Sequence, residues 1–374
     1  QTEACRVVCV TGANGFLGAH VVKQCLLAGY RVRGTVRNAD DLHQTRHLRN
    51  LHRASTHLEL FSAQMGPKSS IGFDDAFDGC DAVIHTASPS AGGSISREDV
   101  HSAVFGTLAV LRACKRVGVK TVVITSATCV VVPKLDGAVV CETNQADARK
   151  HVEKGNYFAA SKILADEAAS AFVRNEKPDF RLVSILPSCI VGPSLSGDLG
   201  RTNRCLLGLM KQGFEGAACP DESISFIDVR DCAKLHIAAM EQETARGRYL
   251  GVASSMHCND VMAVLQDINP KITPPKLCPK PCDPTFIDRT RQNSLRVNIR
   301  ELPEILRDAG AYFNKVGVKD ATSFVEETWG PSPSLPQADN VCLNSWLLYT
   351  SETSPDEHAD AQPNKAELLK ASSF

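Results

Sequence analysis

Short apolar segments alternate with amphipathic ones along the first half of the chain. The apolar segments are rich in β-branched residues and predict strands, whereas the segments between them repeat apolar residues at helical spacing. Continuous apolar strands separated by helices are typical of a parallel sheet that is covered on both faces. The pattern predicts strands over 6–11, 30–36, 58–61, 82–86, 121–125 and 181–186, and helices over 16–28, 71–77, 104–117 and 157–173.

The alternation becomes irregular after residue 195, which is where we expect a smaller substrate lobe. Within this part, 226–231 leads into an amphipathic helix that ends near Met240, and 247–250 reads as another strand. We therefore expect one domain over residues 1–330. The proline-rich and acidic segment 331–374 predicts a mostly disordered tail.

Composition narrows the class of protein without identifying it. The chain is 43% hydrophobic and 22% charged, with a formal net charge of −1, so it gives no reason to expect a nucleic-acid or membrane partner. No apolar run is long enough to span a bilayer, and 6–11 is too short for the core of a signal peptide. We expect a cytoplasmic protein.

The 15 cysteines are odd in number and irregularly spaced, which favours reduced thiols packed as small hydrophobic residues. Cys278 and Cys282 form a close pair. A metal site requires further ligands at suitable spacing, and the sequence shows none, so we predict no metal.

A glycine-rich segment, 12–18, follows the first strand and opens the first helix, the position in which such a loop binds a dinucleotide. Gly12 permits a tight turn, Gly15 lets the backbone approach a pyrophosphate, and Gly18 lets the helix pack close to the sheet. The free N–H groups at the helix start then face the anion. Asn14, Phe16 and Leu17 complete the predicted binding loop. The pattern predicts an α/β, Rossmann-type doubly wound sheet with a smaller C-terminal substrate lobe.

The end of the second strand indicates which dinucleotide is bound. NAD-binding proteins usually place an acid there, but this chain has Arg37 and no acid before Asp40. A guanidinium can make a bidentate contact with a 2′-phosphate, although a solvated surface arginine is the plain alternative. We predict NADP(H).

Several motifs together resemble the extended short-chain dehydrogenase/reductases, in the branch of the dihydroflavonol, cinnamoyl-CoA and carbonyl reductases. They are found at 11–18, 32–37, 80–88, 186–193, 226–239 and 247–250. The resemblance implies that Thr86, Ala87 and Ser88 line the cofactor and that the segment from Pro187 to Ile190 lies beside the nicotinamide. Gln64 and Met65 stand where the family usually has an acid and an aliphatic residue beside the adenine.

The family's chemistry is hydride transfer to a carbonyl, with a tyrosine as proton donor, a lysine four residues later and a serine that binds the carbonyl. Lys162 matches the lysine, but the residue four before it is Phe158. Tyr157 lies five before Lys162, which displaces it by about 100° around a regular helix. The serine position falls on Ala127, flanked by Ser126 and Thr128.

Two interpretations remain open. In one, a π-bulge or a shifted helix start returns Tyr157 to the pocket, Ser126 or Thr128 supplies the hydroxyl, and the protein reduces a small carbonyl compound as a monomer or homodimer. In the other, the protein binds NADP(H) in a sensing or scaffolding role and its catalysis is impaired.

Overall fold

The structure, a computed structural model, describes residues 6–65, 70–88, 96–131, 139–212, 219, 221, 223–272 and 276–316. The segment 331–374, for which we predict disorder, lies outside these residues. Among the helices that the structure describes, none has the length and apolarity needed to cross a membrane.

Seven parallel strands form the central sheet. They are β1 (Val7–Thr11), β2 (Arg31–Val36), β3 (Leu58–Ser62), β6 (Ala82–His85), β7 (Thr121–Thr125), β8 (Arg181–Pro187) and β11 (Gly247–Gly251). Two short strands, β4 (Gln64–Met65) and β5 (Ser70–Ile71), pair with each other beside this sheet. The strand order β11-β8-β7-β6-β1-β2-β3 changes direction between β1 and β6. Ligands of doubly wound sheets bind at such a switch point, outside the carboxyl ends of the strands.

Helices cover both faces of the central sheet, as the continuous apolar strands predict. The chain forms α1 (Phe16–Leu27), α2 (Leu42–Arg49), α3 (Ala54–His57), α4 (Phe73–Phe77), α5 (Arg97–Val117), α6 (Ala148–Glu153), α7 (Tyr157–Glu176), α8 (Gly200–Gln212) and α9 (Val229–Glu241). The helices α1 and α9 share one apolar core with the sheet, and α4, α5 and α7 share another on the opposite face.

A smaller lobe stands at one end of the sheet. Its own three-stranded sheet consists of β9 (Cys189–Val191), β10 (Ser223–Asp228) and β12 (Ser254–His257). It packs with α8, α10 (Cys258–Ile268) and α12 (Leu302–Val316) around a separate apolar core, and α11 (Thr290–Ser294) lies against β11. Two ion pairs fix this lobe to α9, because Arg230 bridges Asp228 and Asp308, and Arg300 contacts Asp231.

Two of the predicted helices begin at other residues than the sequence predicts. Helix α5 begins at Arg97 instead of residue 104, because Ser96 and Asp99 form a reciprocal capping box ahead of an exposed first turn. Such a turn carries no apolar repeat for the pattern to detect. Helix α4 begins at Phe73, because residues 70–71 pair with residues 64–65 as a short antiparallel ribbon.

Candidate active site

The loop 12–18 forms a turn in which only glycine fits at two positions. Gly12 adopts φ +64°, and a Cβ there would lie 2.8 Å from the Cα of Ala87. A Cβ on Gly18 would collide with the carbonyl oxygen of Gly12. The first backbone bond into α1 runs from Ala19 to Gly15 at 2.9 Å, so the N–H groups of residues 16–18 precede the helical ladder. They provide the positive end of a helix on which a diphosphate can bind.

The end of β2 leaves one cation without a partner. Arg37 is exposed and makes no hydrogen bond or ion pair with any residue that the structure describes. Nearby Asp41 caps α2 by accepting from the backbone of His43 and Gln44, and the amide of Asn14 lies 3.4 Å from the Gln44 side chain. The Arg37 guanidinium is therefore available to an anionic ligand.

An inner cavity of about 430 Å³, partly open to solvent, lies where the carboxyl ends of β6 and β7 meet α5 and α7. Among the described residues that line it, Lys162 is the only lysine or arginine. The Lys162 ammonium donates to the carbonyl of Thr125 at 3.3 Å, and burial lowers the pKa of this lysine. The cavity is lined by Met65, His85, Ala87, Ser88, Ala103, Thr107, Ile124, Thr125, Ser126, Lys162, Ala165 and Asp166.

Two buried polar atoms among the residues that line this inner cavity have no hydrogen-bond partner in the described part of the chain. They are Oγ of Ser126, a residue that is 6% exposed, and Oδ1 of Asp166, which is 2% exposed. An unsatisfied buried polar group costs about 1–3 kcal/mol. The cavity is thus built to hold something polar, such as water or the hydroxyls of a ligand.

Two histidines hold the strand ends around this cavity. The hydroxyl of Thr11 accepts from the Ala87 backbone and forms a 2.6 Å hydrogen bond with Nδ1 of His85. His236 donates through Nδ1 to the Cys232 carbonyl, so its Nε2 accepts from Thr125 at 2.8 Å. Burial lowers the pKa of His85 to about 3 and that of His236 to about 4, so both rings are neutral near pH 7.

An outer cavity of about 910 Å³, also partly open, lies between the central sheet and the smaller lobe. Its described lining contains apolar residues, cysteines and hydroxyls, and no aspartate, glutamate, lysine or arginine. The lining residues are Ala127, Thr128, Cys129, Val140, Phe158, Pro187, Ser188, Cys189, Thr202, Ser223, Ile224, Ser225, Leu250 and Ile287. This chemistry suits an uncharged organic molecule.

The start of α7 decides which side chains reach the outer cavity. The helix is α-helical from Tyr157 onward, and the Asn156 side chain caps it by accepting from Ala159 at 3.1 Å. Phe158 and Ala127 both line the outer cavity. Tyr157 is half-buried, lines neither cavity and has no side-chain hydrogen bond to a described residue.

Some of the remaining predicted residues line one of the two cavities, and others line neither. Ser126 opens onto the inner cavity beside Lys162, whereas Thr128 lines the outer one. Pro187 lines the outer cavity, and Ile190 packs against the core that contains α1. Gln64 is exposed on β4.

Other predicted cofactor residues meet at the glycine turn. Thr86 donates its hydroxyl to the Thr11 carbonyl at 2.7 Å and lies close to Gly18, and Ala87 faces Gly12.

The sequence analysis missed Asp166 and Arg248. Asp166 lies one helical turn after Lys162 and forms an ion pair with Arg248 at 2.5 Å. The available signal was the four-residue spacing from Lys162, which places both side chains on one helix face.

Within the described residues, one group of metal-ligand type comes together, namely Asp221, His257 and Cys282. Nδ1 of His257 accepts from the Asn259 backbone at 3.0 Å, so the proton of the neutral ring resides on Nε2, 3.3 Å from Asp221. A ligating histidine needs Nε2 free and normally donates from its other nitrogen. The capping role of His257 therefore opposes metal binding here.

A glycine turn at the switch point of a doubly wound sheet, with an inner and an outer cavity beside it, defines a dinucleotide-binding Rossmann protein. The sequence profile of the NAD dependent epimerase/dehydratase family matches residues 8–251, and the chain belongs to this family.

Curated relatives are similar over most of their length. The chain is 33% identical to cinnamoyl-CoA reductase CAD2 of Medicago truncatula over 81% of this chain and 96% of the relative. It is 34% identical to tetraketide alpha-pyrone reductase 1 of Arabidopsis thaliana over 80% and 93% of the two chains.

Solved structures agree with this fold. Vestitone reductase from alfalfa (Medicago sativa L.) superposes with a TM-score of 0.69 at 26% identity, and Gre2 from Candida albicans in complex with NADPH superposes with a TM-score of 0.70 at 25% identity. Each comparison covers 83% of this chain and 99% of the other.

Proposed function

We propose that this protein is an NADP(H)-dependent reductase of an uncharged carbonyl compound whose proton is not supplied by a tyrosine. The observation that carries the proposal is the position of Lys162, which faces an inner cavity beside the glycine turn while its helix also contributes Phe158 to the outer cavity. A bound NADPH would supply the hydride.

Arg37 supports NADP(H) as the cofactor. Its guanidinium lies at the end of β2 without a partner among the described residues, and a 2′-phosphate is an anion that it could bind in a bidentate manner. The similarity to Gre2, whose structure contains NADPH, favours the same choice.

The chain's own residues would bind and orient the reactants. The N–H groups at the start of α1 would hold the diphosphate. Lys162 and the unpartnered Ser126 hydroxyl would take the polar groups that enter the inner cavity. The uncharged outer cavity would exclude water from the carbonyl, and excluding water strengthens the electrostatic effect of Lys162.

The competing function is an NADP(H)-binding protein without turnover, acting as a sensor or scaffold. Ala127 and Phe158 favour it, because neither side chain can donate a proton where the family's serine and tyrosine would stand. Purified protein should therefore be tested for NADPH binding by fluorescence and for NADPH oxidation with aromatic aldehydes and diketones. Binding without turnover of any member of the panel would contradict the reductase.

A gain-of-function variant tests whether Ala127 and Phe158 occupy the positions of the family's serine and tyrosine. Ala127→Ser together with Phe158→Tyr would restore both hydroxyls in the outer cavity, and general acid catalysis is worth about 10²–10⁴-fold. We expect kcat to rise by at least about 100-fold without a change in NADPH affinity. The matched control is Tyr157→Phe, which removes the hydroxyl that lines neither cavity. A large loss of activity in this control would show that Tyr157 is the donor.

A further inference from the structure

Serine hydroxyls on β10 and β12 form a chain of hydrogen bonds beside the outer cavity. Ser223 and Ser225 are two residues apart on β10, so they face the same side of the strand, and both line the cavity. The Ser225 hydroxyl donates to Oγ of Ser255 at 3.1 Å, and the Ser255 hydroxyl donates to Oγ of Ser223 at 3.4 Å. Ser255 lies on the paired strand β12 and does not line the cavity. The chain of hydroxyls therefore begins at Ser225, on the wall of the cavity.

Thr285 fixes the direction of this hydroxyl chain at its other end. The Thr285 N–H donates to Oγ of Ser223 at 3.1 Å, and the side-chain oxygens of the two residues lie 2.6 Å apart. A hydroxyl has one proton and two acceptor lone pairs. Ser223 accepts from the Thr285 backbone and from Ser255, so its own proton goes to the Thr285 hydroxyl. Each serine of the chain thus donates its proton to another group of the protein.

A further serine of the outer cavity donates its proton to the protein as well. Ser188 lines the cavity, is 8% exposed and donates to the Gly251 carbonyl at 3.2 Å. It directly precedes Cys189, and Ser225 directly precedes Phe226, which pairs with Cys189 in the parallel ladder of β9 and β10. Neighbouring strands lie about 5 Å apart, so the two serines stand side by side. Neither serine Oγ accepts a hydrogen bond from a described residue, so both have free lone pairs.

We propose that Ser188 and Ser225 determine the specificity of the outer cavity by accepting hydrogen bonds from hydroxyl groups of an uncharged carbonyl compound. The inference rests on the proposed function and names the substrate class of the same site. Because both serine protons are donated within the protein, the two oxygens can act on a ligand only as acceptors. A ligand hydroxyl supplies the donor they need, whereas an ether oxygen in the same place supplies only lone pairs. The cavity therefore selects a carbonyl compound with two neighbouring hydroxyls over its methyl ether.

Two further features make this selection effective. The described lining of the outer cavity contains no lysine or arginine and no carboxylate, so a neutral hydroxyl matches it better than a charged group. A ligand that displaces water from Ser188 and Ser225 without donating to them leaves buried oxygens unpaired, which lowers its affinity. Ser255 is a positioning residue in this arrangement, because it holds the Ser225 proton away from the ligand.

The first test is a binding measurement that needs no turnover. Protein loaded with NADP⁺ is titrated calorimetrically with 3,4-dihydroxybenzaldehyde and with 3,4-dimethoxybenzaldehyde. We expect the dihydroxy compound to bind the wild type at least tenfold more tightly. Ser225→Ala should weaken its binding by about three- to tenfold and leave the affinity for the dimethoxy compound within about twofold.

Ser184→Ala is the matched control, because Ser184 is a buried serine of β8 that lines neither cavity. It should change neither affinity. Equal affinities of the wild type for the two compounds, or no binding of the dihydroxy compound, would overturn the proposal.

A second variant tests the direction of the hydroxyl chain. Ser255→Ala removes the acceptor of the Ser225 proton at a position that does not line the cavity, so Ser225 becomes free to donate to a ligand. The ratio of the two affinities should then shift at least threefold toward the dimethoxy compound. A purely structural effect would weaken the binding of both compounds alike, so an unchanged ratio contradicts the proposal.

Turnover separates this inference from the proposed function. Each compound is also incubated with the wild-type protein and NADPH, and NADPH oxidation is followed by its absorbance. If the dihydroxy compound binds with the expected preference but no aldehyde oxidises NADPH, the proposed function is wrong, and the assignment of Ser188 and Ser225 as acceptors stands. If both compounds are reduced but bind equally well, the assignment of the acceptors is wrong, and the proposed function stands.

Discussion

Arg37 and Lys162, the two cations of the proposed cofactor site, are held in different ways. Lys162 donates to the Thr125 carbonyl, and the Thr125 hydroxyl in turn donates to His236. This arrangement fixes the lysine in space. Arg37 makes no hydrogen bond or ion pair with a described residue, so its guanidinium fork is available to a ligand. We therefore predict that Arg37 discriminates between phosphorylated and unphosphorylated dinucleotides.

Arg37→Gln should weaken NADPH binding by roughly 10–100-fold and leave NADH binding within about twofold. The reason is that a hydrogen bond to a charged group contributes about 1.5–3 kcal/mol. Fluorescence titration with each dinucleotide measures both affinities. Arg31→Gln is the control, because Arg31 is an exposed arginine at the other end of the same strand. If NADPH and NADH lose affinity equally, the assignment of the 2′-phosphate to Arg37 is wrong.

At the scale of elements, one buried ion pair connects helix α7 with strand β11. Arg248 of β11 contacts Asp166 of α7 at 2.5 Å and also donates to the Asn144 carbonyl and to the Gln145 side chain. Arg248 therefore connects α7, the helix that carries Lys162, with residues 144–145. These residues follow Val140, which lines the outer cavity. Loss of Arg248 would leave a buried carboxylate unpaired.

Arg248→Met should lower the free energy of unfolding by about 3–5 kcal/mol, because breaking a buried pair from one side leaves an uncompensated charge. Urea denaturation at pH 7 measures this loss. Replacing both partners, as in Arg248→Met with Asp166→Leu, should recover most of it. Lys115→Met is the comparison for an exposed pair, with side chains 41% and 53% exposed in Lys115 and Glu176, and should lower the free energy of unfolding far less. Equal losses in the two single variants would contradict this account.

Periodicity in the sequence predicted the seven central strands closely, because a strand buried on both faces leaves an uninterrupted apolar run. It predicted the glycine turn for a similar reason, since only glycine satisfies the positive φ of Gly12 and the close approach at Gly18. Alternation of neighbours along a strand indicates that Ser126 and Ala127 face different sides, and they line different cavities. Periodicity could not predict that Arg248 would reach Asp166, because this contact depends on packing between elements that are distant in the chain.

At the scale of the whole molecule, three buried histidines join separate layers. The ring of His20 on α1 donates from Nε2 to the Pro193 carbonyl, in the segment that enters the smaller lobe, at 2.8 Å. His85 joins β6 to β1, and His236 joins α9 to β7. Burial lowers the pKa of His20 and of His236 to about 4 and that of His85 to about 3. All three rings are therefore neutral near pH 7, and the contact of His236 with Thr125 requires the neutral form, because Nε2 accepts there.

The lowered pKa values of these three histidines predict that the protein loses stability in acid. In the unfolded chain a histidine binds its proton near pH 6.5, whereas in the folded protein these three bind it only near pH 4 or below. Their contribution is complete above pH 6.5 and falls as the pH drops toward 4, because the unfolded state then binds more protons. At pH 5 the loss should be about 2 kcal/mol per histidine relative to pH 7. Urea denaturation at both pH values measures this loss of stability.

His20→Gln should reduce the pH-dependent loss by about 2 kcal/mol, and His52→Gln, at an exposed position, should leave it unchanged. If His20→Gln keeps the full loss, His20 is not neutral in the folded protein, and its contact with Pro193 must be maintained by a charged ring.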